Sequence, residues 1–322
     1  MSEQMSVLTI ATGKKIYLDM AVNLARSFRR WNAGNGIDFY LATDQPAELP
    51  ADVAAFAKTI GIKPGELGQG FSPKVNLDKL APEGQTLFID SDCLVYGDLT
   101  SVFEKFRGHA VSVVGGYISS GEWFGDVAAI CKKFAITGML KFNGGIYYLE
   151  NGEQAKKVYE LTRQLEHEYD EIGFVRFRGM PADEMLMSLA LSVTSQTPIT
   201  DDGTIMSDPL SCPGPYKTDV IKGKTSLNNP PAPSALHQPW YPFTNVSPLI
   251  VHFLGHHNAD HQYRKDVYRL ARRAGNSGAF LSDIYAAVFI GLKSKVIIKF
   301  KNTFRGLYHS LLGTRRLKPG ER

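Results

Sequence analysis

Two aspartates one residue apart, Asp90 and Asp92, close the apolar run Leu87-Phe88-Ile89 and precede a second run, Cys93-Leu94-Val95. Carboxylates this close repel one another unless a cation joins them. Their oxygens suit Mg²⁺ or Mn²⁺, hard ions that commonly bridge to substrate phosphates. An Asp-x-Asp triplet alone is equally a solvated turn, since chance supplies about one in a chain of this size. Three other stretches carry groups that could join them. Phe142-Asn143-Gly144-Gly145 puts an amide and two glycines at the head of an apolar strand, where backbone approaches something closely. Asp183-Glu184 opens a helix, with its acids where the helix dipole favours them. Val251-His252-Phe253-Leu254-Gly255 is a strand ending in a turn rich in histidine, His256-His257-Asn258.

The elements that must position these groups read as α/β. Val7 to Ala11 is a first strand, broken by Thr12-Gly13. A helix follows, with Met20, Ala21, Leu24, Ala25, Phe28 and Trp31 at helical spacing. Asn32-Ala33-Gly34-Asn35-Gly36 ends it, and Ile37 to Ala42 is a second strand. Strand, helix, strand is a crossover and predicts a parallel sheet. The first turn has no GxGxxG, so a dinucleotide fingerprint is absent. Lys74 to Leu80 is a short helix, and the Asp-x-Asp strand follows. Its continuous apolar look fits a strand buried on both faces, with the aspartates at the edge where open α/β sheets bind ligands. Residues 117–141 read as irregular, Phe142 to Leu149 as a strand, and Asn151 as a helix start with Gln154 three residues on. Residues 209–248 hold nine of the seventeen prolines and read as a long loop, of a length that is usually a functional lid or disordered.

At 322 residues, 43% apolar and 21% charged, the chain fits a soluble globular protein of one large domain or two ordinary ones. No run approaches the roughly 18 apolar residues of a membrane span, and Met1 to Met5 has no secretory pattern. Three scattered cysteines, Cys93, Cys131 and Cys212, argue against a disulfide framework or a zinc ribbon, and for a reducing cytoplasm. The net charge of +4 is a property of the tail. From Ile290 onward nine Lys or Arg face Glu321 alone, so that segment carries +8 and residues 1–289 carry −4. No nucleic-acid-binding core is expected on that distribution.

Taken in order, Phe88-Ile89-Asp90-Ser91-Asp92, Phe142-Asn143-Gly144-Gly145, Asp183-Glu184 and Val251-His252-Phe253-Leu254-Gly255 resemble the GT-A glycosyltransferases, and most closely the family-eight group of glycogenin and its galactosyltransferase-like members. The resemblance covers about residues 6–270. It implies a Rossmann-like, mostly parallel mixed sheet flanked by helices, with residues 1–275 as the catalytic domain. It also implies Mn²⁺ or Mg²⁺, a nucleotide-sugar donor such as a UDP-sugar, and retaining transfer of a hexose to a glycan or lipid-linked acceptor. Asp90, Asp92 and His252 would hold the metal, which would neutralise charge on the departing diphosphate, and one imidazole among carboxylates favours Mn²⁺. Asp90 would also touch the ribose. Asn143, Gly144 and Gly145 would face the donor sugar, and Asp183 and Glu184 its hydroxyls. Lys74 would lie against the nucleotide, with Thr12, Asp44 and Tyr17 near base and ribose. The family continues past the glycine equivalent to Gly255 with Lys-Pro-Trp; here His256-His257-Asn258 stands instead, leaving His257 or Arg264 to supply charge to the phosphates.

Two other readings share these residues. Asp90 could be the nucleophile of a haloacid-dehalogenase-type phosphatase, although that motif normally opens its domain. A non-catalytic nucleotide-sugar-binding or membrane-docking module would need no turnover. Beyond the core, Val296, Phe300, Phe304, Leu307 and Leu311 step along one helical face with Lys301 and Arg305 beside it. Residues 276–322 therefore read as a basic amphipathic extension, which either lies on the inner face of an anionic membrane or packs on the domain.

Overall fold

The computed structural model describes residues 4–68, 70–275 and 279–313. Arg315 and Arg316 of the basic tail lie outside them. Strand β1 (Met5–Ala11) pairs in parallel with β2 (Ile37–Thr43) on one side and with β4 (Gly84–Ile89) on the other, and β2 pairs with β3 (Lys58–Gly61). The crossover from β1 to β2 is helix α1 (Lys15–Asn32), which buries Leu18, Ala21, Leu24, Ala25 and Phe28. The sheet runs β3-β2-β1-β4, then β9 (Ile146–Asn151) antiparallel to β4, then β6 (Val111–Ser112). It is α/β with a parallel-rich mixed sheet between helical layers. Alternation along β4 explains its unbroken apolar run. Leu87 and Ile89 join the core under α1, whereas Phe88 joins the opposite core with α3 (Glu153–His167) and α4 (Asp183–Val193).

Three expectations need correction. Residues 117–141 are not irregular: β7 (Val114–Ile118) pairs with β8 (Met139–Phe142), and α2 (Val127–Phe134) lies between. Asp126 caps α2 by accepting from the Ala129 N–H, and Ala135 ends it at φ 52°. The apolar stretch from Phe142 to Leu149 is two strands, β8 and β9, joined at Asn143-Gly144-Gly145. The following helix, α3, starts at Glu153; Asn151 instead ends β9 and donates to the Ala81 carbonyl.

The proline-rich stretch is also ordered differently from the long loop expected. It contains β12 (Lys217–Asp219), β13 (Lys224–Asn228) and β14 (Asn245–Val246), an antiparallel sheet. All nine prolines fall outside those strands, where a missing N–H breaks no ladder. Cys212, Val220, Leu227, Tyr241 and Val246 form a core there with Tyr96, Phe253 and helix α5 (His261–Ala274). A segment with its own buried core is a fixed part of the fold.

A smaller sheet sets the site. β11 (Met206–Ser207) runs parallel to β15 (Ile250–His252), and β15 pairs antiparallel with β5 (Cys93–Val95), in the register that sets His252 opposite Cys93. The Phe253 N–H donates to the Asp92 carbonyl at 3.0 Å and continues that pairing.

Past α5 the chain forms α6 (Ala279–Tyr285), a π-helical stretch (Ala286–Leu292) and α7 (Lys293–Leu312). Asp283 of α6 accepts from Arg269 at 2.7 Å and from Arg273 at 2.9 and 3.0 Å. These bonds, Arg273's first, hold its carboxyl down at about 2. Tyr268, Tyr285 and Phe289 stack in succession. The anchoring stops there. Val296, Phe300, Phe304, Leu307 and Leu311 of α7 are between 45% and 73% exposed, so the apolar face does not pack on the domain. Among the described residues no helix is long and apolar enough to cross a membrane.

Candidate active site

Asp90 leaves the end of β4, and its N–H donates to the Gly145 carbonyl at 2.9 Å. The His252 Nε2 lies 3.0 Å from Asp92 Oδ1 and 3.8 Å from Asp90 Oδ2, so one imidazole nitrogen faces both carboxylates. Burial lowers the basicity of that ring, but the Asp92 and Asp90 charges outweigh it and hold the imidazole up at about 9. Burial pushes the Asp92 carboxyl up, and His252 more than reverses the shift, leaving it below its ordinary value. Asp90 is raised by burial, with Lys74 offsetting part of the effect and Asp92 adding to it.

The Asn-Gly-Gly turn packs tightly against this cluster. Asn143 Oδ1 lies 2.8 Å from His252 Nδ1 and accepts from the Gly145 N–H at 2.9 Å. A Cβ on Gly145 would fall 2.5 Å from His252 Nδ1 and 2.9 Å from Met206 Sδ. A Cβ on Gly144 would meet Glu184 Cγ and the Tyr147 hydroxyl, both at 2.9 Å. The close approach expected of these glycines is therefore to this chain's own side chains. On the far side of the turn, the Gly144 N–H donates to Glu184 Oε1 at 2.7 Å and the Tyr147 hydroxyl to Asp183 Oδ2 at 2.6 Å. Lys74 Nζ sits between the two carboxylate groups, 2.6 Å from Asp90 Oδ2, 3.4 Å from Asp183 Oδ2 and 3.0 Å from the Gly144 carbonyl. Asp183 is buried at 4% exposure while Glu184 is half-buried. Burial, then Asp183, pushes the Glu184 carboxyl up to about 7, against the pull of the Gly144 N–H.

The structure thus brings together Lys74, Asp90, Asp92, Asn143, Gly144, Gly145, Asp183, Glu184 and His252. Thr12 leaves the same sheet edge as Asp90, since β1 and β4 are parallel with Leu8 opposite Phe88. Asp44, just past β2, accepts from the Gly13 N–H through both oxygens at 3.2 and 3.0 Å. Tyr17, in the first turn of α1, is 42% exposed. Gly255 has φ +63° and open space around it. His257 is tied to Asp260, Nδ1 to Oδ2 at 2.8 Å, and meets the His256 ring at a tilt of 34°.

The donor atoms fit a hard divalent ion. Asp92, Cys93 and His252 each offer one ligand atom, all within 4.8 Å of one another, and Asp90 Oδ2 stands 3.8 Å from His252 Nε2. Burial pushes the Cys93 thiol well above its ordinary value, so it offers S–H and not the thiolate a metal binds. Asp90 is the better third ligand, with an oxygen aimed at the same nitrogen, although it shares that oxygen with Lys74.

No family model and no curated protein matches the chain. Among solved structures, the galactosyltransferase LgtC in complex with donor and acceptor sugar analogs matches at TM-score 0.53, covering 85% of this chain and 96% of that one at 13% identity. An active-site variant of LgtC gives TM-score 0.51, 78% and 88% coverage, and 12% identity. The fold is GT-A. At this identity the likeness fixes the architecture, and the GT-A sheet places the Asp-x-Asp turn at its carboxyl edge.

Two residues of this GT-A site are missing from the sequence reading. Tyr147 was only part of an apolar strand. Asp208, just after β11, is 2% exposed and accepts from Asn143 Nδ2 at 3.0 Å. Its other bonds come from the N–H groups of Leu210 and Ser211 and the Ser211 hydroxyl, at 2.7, 2.9 and 2.7 Å. An aspartate bonding the backbone two residues on, before a proline, is an Asx-turn signal that Ser207-Asp208-Pro209-Leu210 carries.

Proposed function

We propose that the chain is a metal-dependent glycosyltransferase of the family-eight kind, moving a hexose from a UDP-sugar to a glycan or lipid-linked acceptor with retention of configuration. The observation that carries the reading is the convergence of Asp90, Asp92 and His252 Nε2 at the carboxyl edge of a GT-A sheet. A neighbour of the same fold has been solved with donor and acceptor sugar analogs, which supports transfer over phosphoester hydrolysis. Asp90, Asp92 and His252 would hold Mn²⁺ or Mg²⁺. When bound, the ion acts as a Lewis acid toward the leaving diphosphate. Lys74 bridges Asp90 and Asp183 and offsets part of the cost of burying Asp90. Glu184, half-buried and poised near neutrality, accepts hydrogen bonds from donor hydroxyls. Thr12, Asp44 and Tyr17 receive the nucleoside at the same sheet edge.

The test is hydrolysis and transfer with a panel of UDP-hexoses in Mn²⁺, before and after EDTA. Turnover that EDTA removes and Mn²⁺ restores is expected. Turnover unaffected by EDTA overturns the metal reading, and release of phosphate from simple esters in place of donor cleavage overturns the transferase reading.

The reading extends to residues 276–322 as a peripheral membrane anchor. The exposed apolar face of α7 and the basic tail suit the headgroup plane of an anionic bilayer, where each basic residue contributes about 1 kcal/mol. The full chain is expected to co-sediment with phosphatidylserine vesicles at low salt, and Phe300→Ser/Leu307→Ser to lose most of that binding. Equal sedimentation of both forms would refute it.

A further inference from the structure

We infer that Asp208 is a positioning residue that fixes which nitrogen of His252 faces the two carboxylates. The inference rests on the metal reading above only for its functional consequence. The geometric chain starts from two groups whose hydrogen-bond roles are not free. The Gly145 N–H can only donate, and it meets one end of the Asn143 amide at 2.9 Å. The Asp208 carboxylate accepts, and it meets the other end at 3.0 Å. Together they fix the amide with its oxygen toward Gly145 and its nitrogen toward Asp208. That same oxygen lies 2.8 Å from His252 Nδ1, so Nδ1 must carry a proton. When the ring is neutral, Nε2 is then the unprotonated nitrogen, and Nε2 is the one aimed at Asp92 and Asp90. A second group that orients an imidazole in this way is a common means of tuning a metal ligand.

Asp208 is well suited to hold this polarity. It is buried, and its oxygens are occupied by the Leu210 and Ser211 N–H groups, the Ser211 hydroxyl and Asn143. It cannot rotate away without stranding these donors, two of them in buried bonds. Gly145 closes the other side, leaving no room for the ring to shift toward the backbone.

Asp208→Asn is nearly isosteric and keeps an oxygen for the two backbone N–H groups, yet it turns the group facing Asn143 into a donor. Two donors then face each other, and an Asn143 amide that turns over to relieve them gives up the Gly145 N–H and presents its NH₂ to His252 Nδ1, which becomes an acceptor. The ring proton moves to Nε2 and blocks the lone pair. Adding Asn143→Asp restores an acceptor opposite the new donor, with no change in total charge from the native pair. The experiment reads two quantities in the full-length protein. Imidazole ¹⁵N shifts of His252 in the metal-free protein, read above about pH 9 so that the ring is neutral, report whether Nδ1 carries the remaining proton, and titration with Mn²⁺ alone reports affinity.

The expected result is a protonated Nδ1 in the native protein, its loss in Asp208→Asn with Mn²⁺ affinity down by about 10–100-fold, and recovery of both in Asp208→Asn/Asn143→Asp. An unchanged Nδ1 signal in Asp208→Asn overturns the inference, as does a double variant no better than the single one, since a residue that only caps its turn would not be rescued from position 143. A native protein that shows the proton switch but binds no Mn²⁺ would refute the metal reading and leave the positioning role standing.

Discussion

Asp92→Asn is expected to abolish Mn²⁺ binding and to lower turnover about 1000-fold, because the several kcal/mol of charge stabilisation a metal supplies correspond to tenfold per 1.36 kcal/mol. The effect is large because the site has no spare ligand. Asp90 already shares its nearer oxygen with Lys74 at 2.6 Å, and the Cys93 thiol stays protonated. The fold should survive. The Asp92 charge helps hold the His252 ring up against burial, so its loss lowers the ring's basicity and favours the neutral form, which is less costly to bury. Circular dichroism and a melting curve check the fold, and Mn²⁺ titration with donor hydrolysis checks the site. Native turnover in this variant would remove Asp92 from the mechanism.

Gly145→Ala carries the second largest expected effect, through space and not charge. The added methyl would lie 2.5 Å from His252 Nδ1, 3.0 Å from its Cε1 and 2.9 Å from Met206 Sδ. The ring is 6% exposed and pinned between Asn143 and Asp92, so it cannot swing aside while keeping both partners. Overpacking of this kind costs about 1–3 kcal/mol, or several degrees of melting temperature. Displacing the imidazole should weaken Mn²⁺ by at least about 10-fold. Gly116→Ala, where a Cβ meets nothing within 4 Å, is the control and should melt and bind as the native protein does. Native Mn²⁺ affinity in Gly145→Ala would show that the close packing of the turn does not set the ring.

The legibility of this site in the sequence follows physical lines. The β1-α1-β2 crossover and the buried strand before Asp90 were readable because burial on defined faces imposes a periodicity. Asn143, Asp183, Glu184 and His252 were readable as polar groups at the ends of apolar runs. Short elements were not. The strands of the proline-rich stretch are two to five residues long, too short for alternation to register, and their prolines sit in the connections. The partners of Asn143 are illegible for a different reason. Asp208, His252 and Gly145 all meet its amide, and a partner 65 residues away leaves no trace in spacing. The ammonium of Lys74 lies between Asp90 and Asp183, a bridge between distant segments that spacing alone does not show. The exposed face of α7 was legible as a stripe, but periodicity alone does not say what covers it.

The register of β15 against β5 has a kinetic consequence. Cys93 meets His252 across that ladder, so the imidazole reaches the aspartates only when a very long loop closes. Closing such a loop comes at an entropic cost before any contact rewards it, and contacts this remote in sequence slow folding. Asp90 and Lys74, sixteen residues apart, can pair much earlier. A refolding chain should therefore acquire the ammonium–carboxylate pair first and the imidazole last. The half-assembled cluster would be held together by its lysine until the final strand docks.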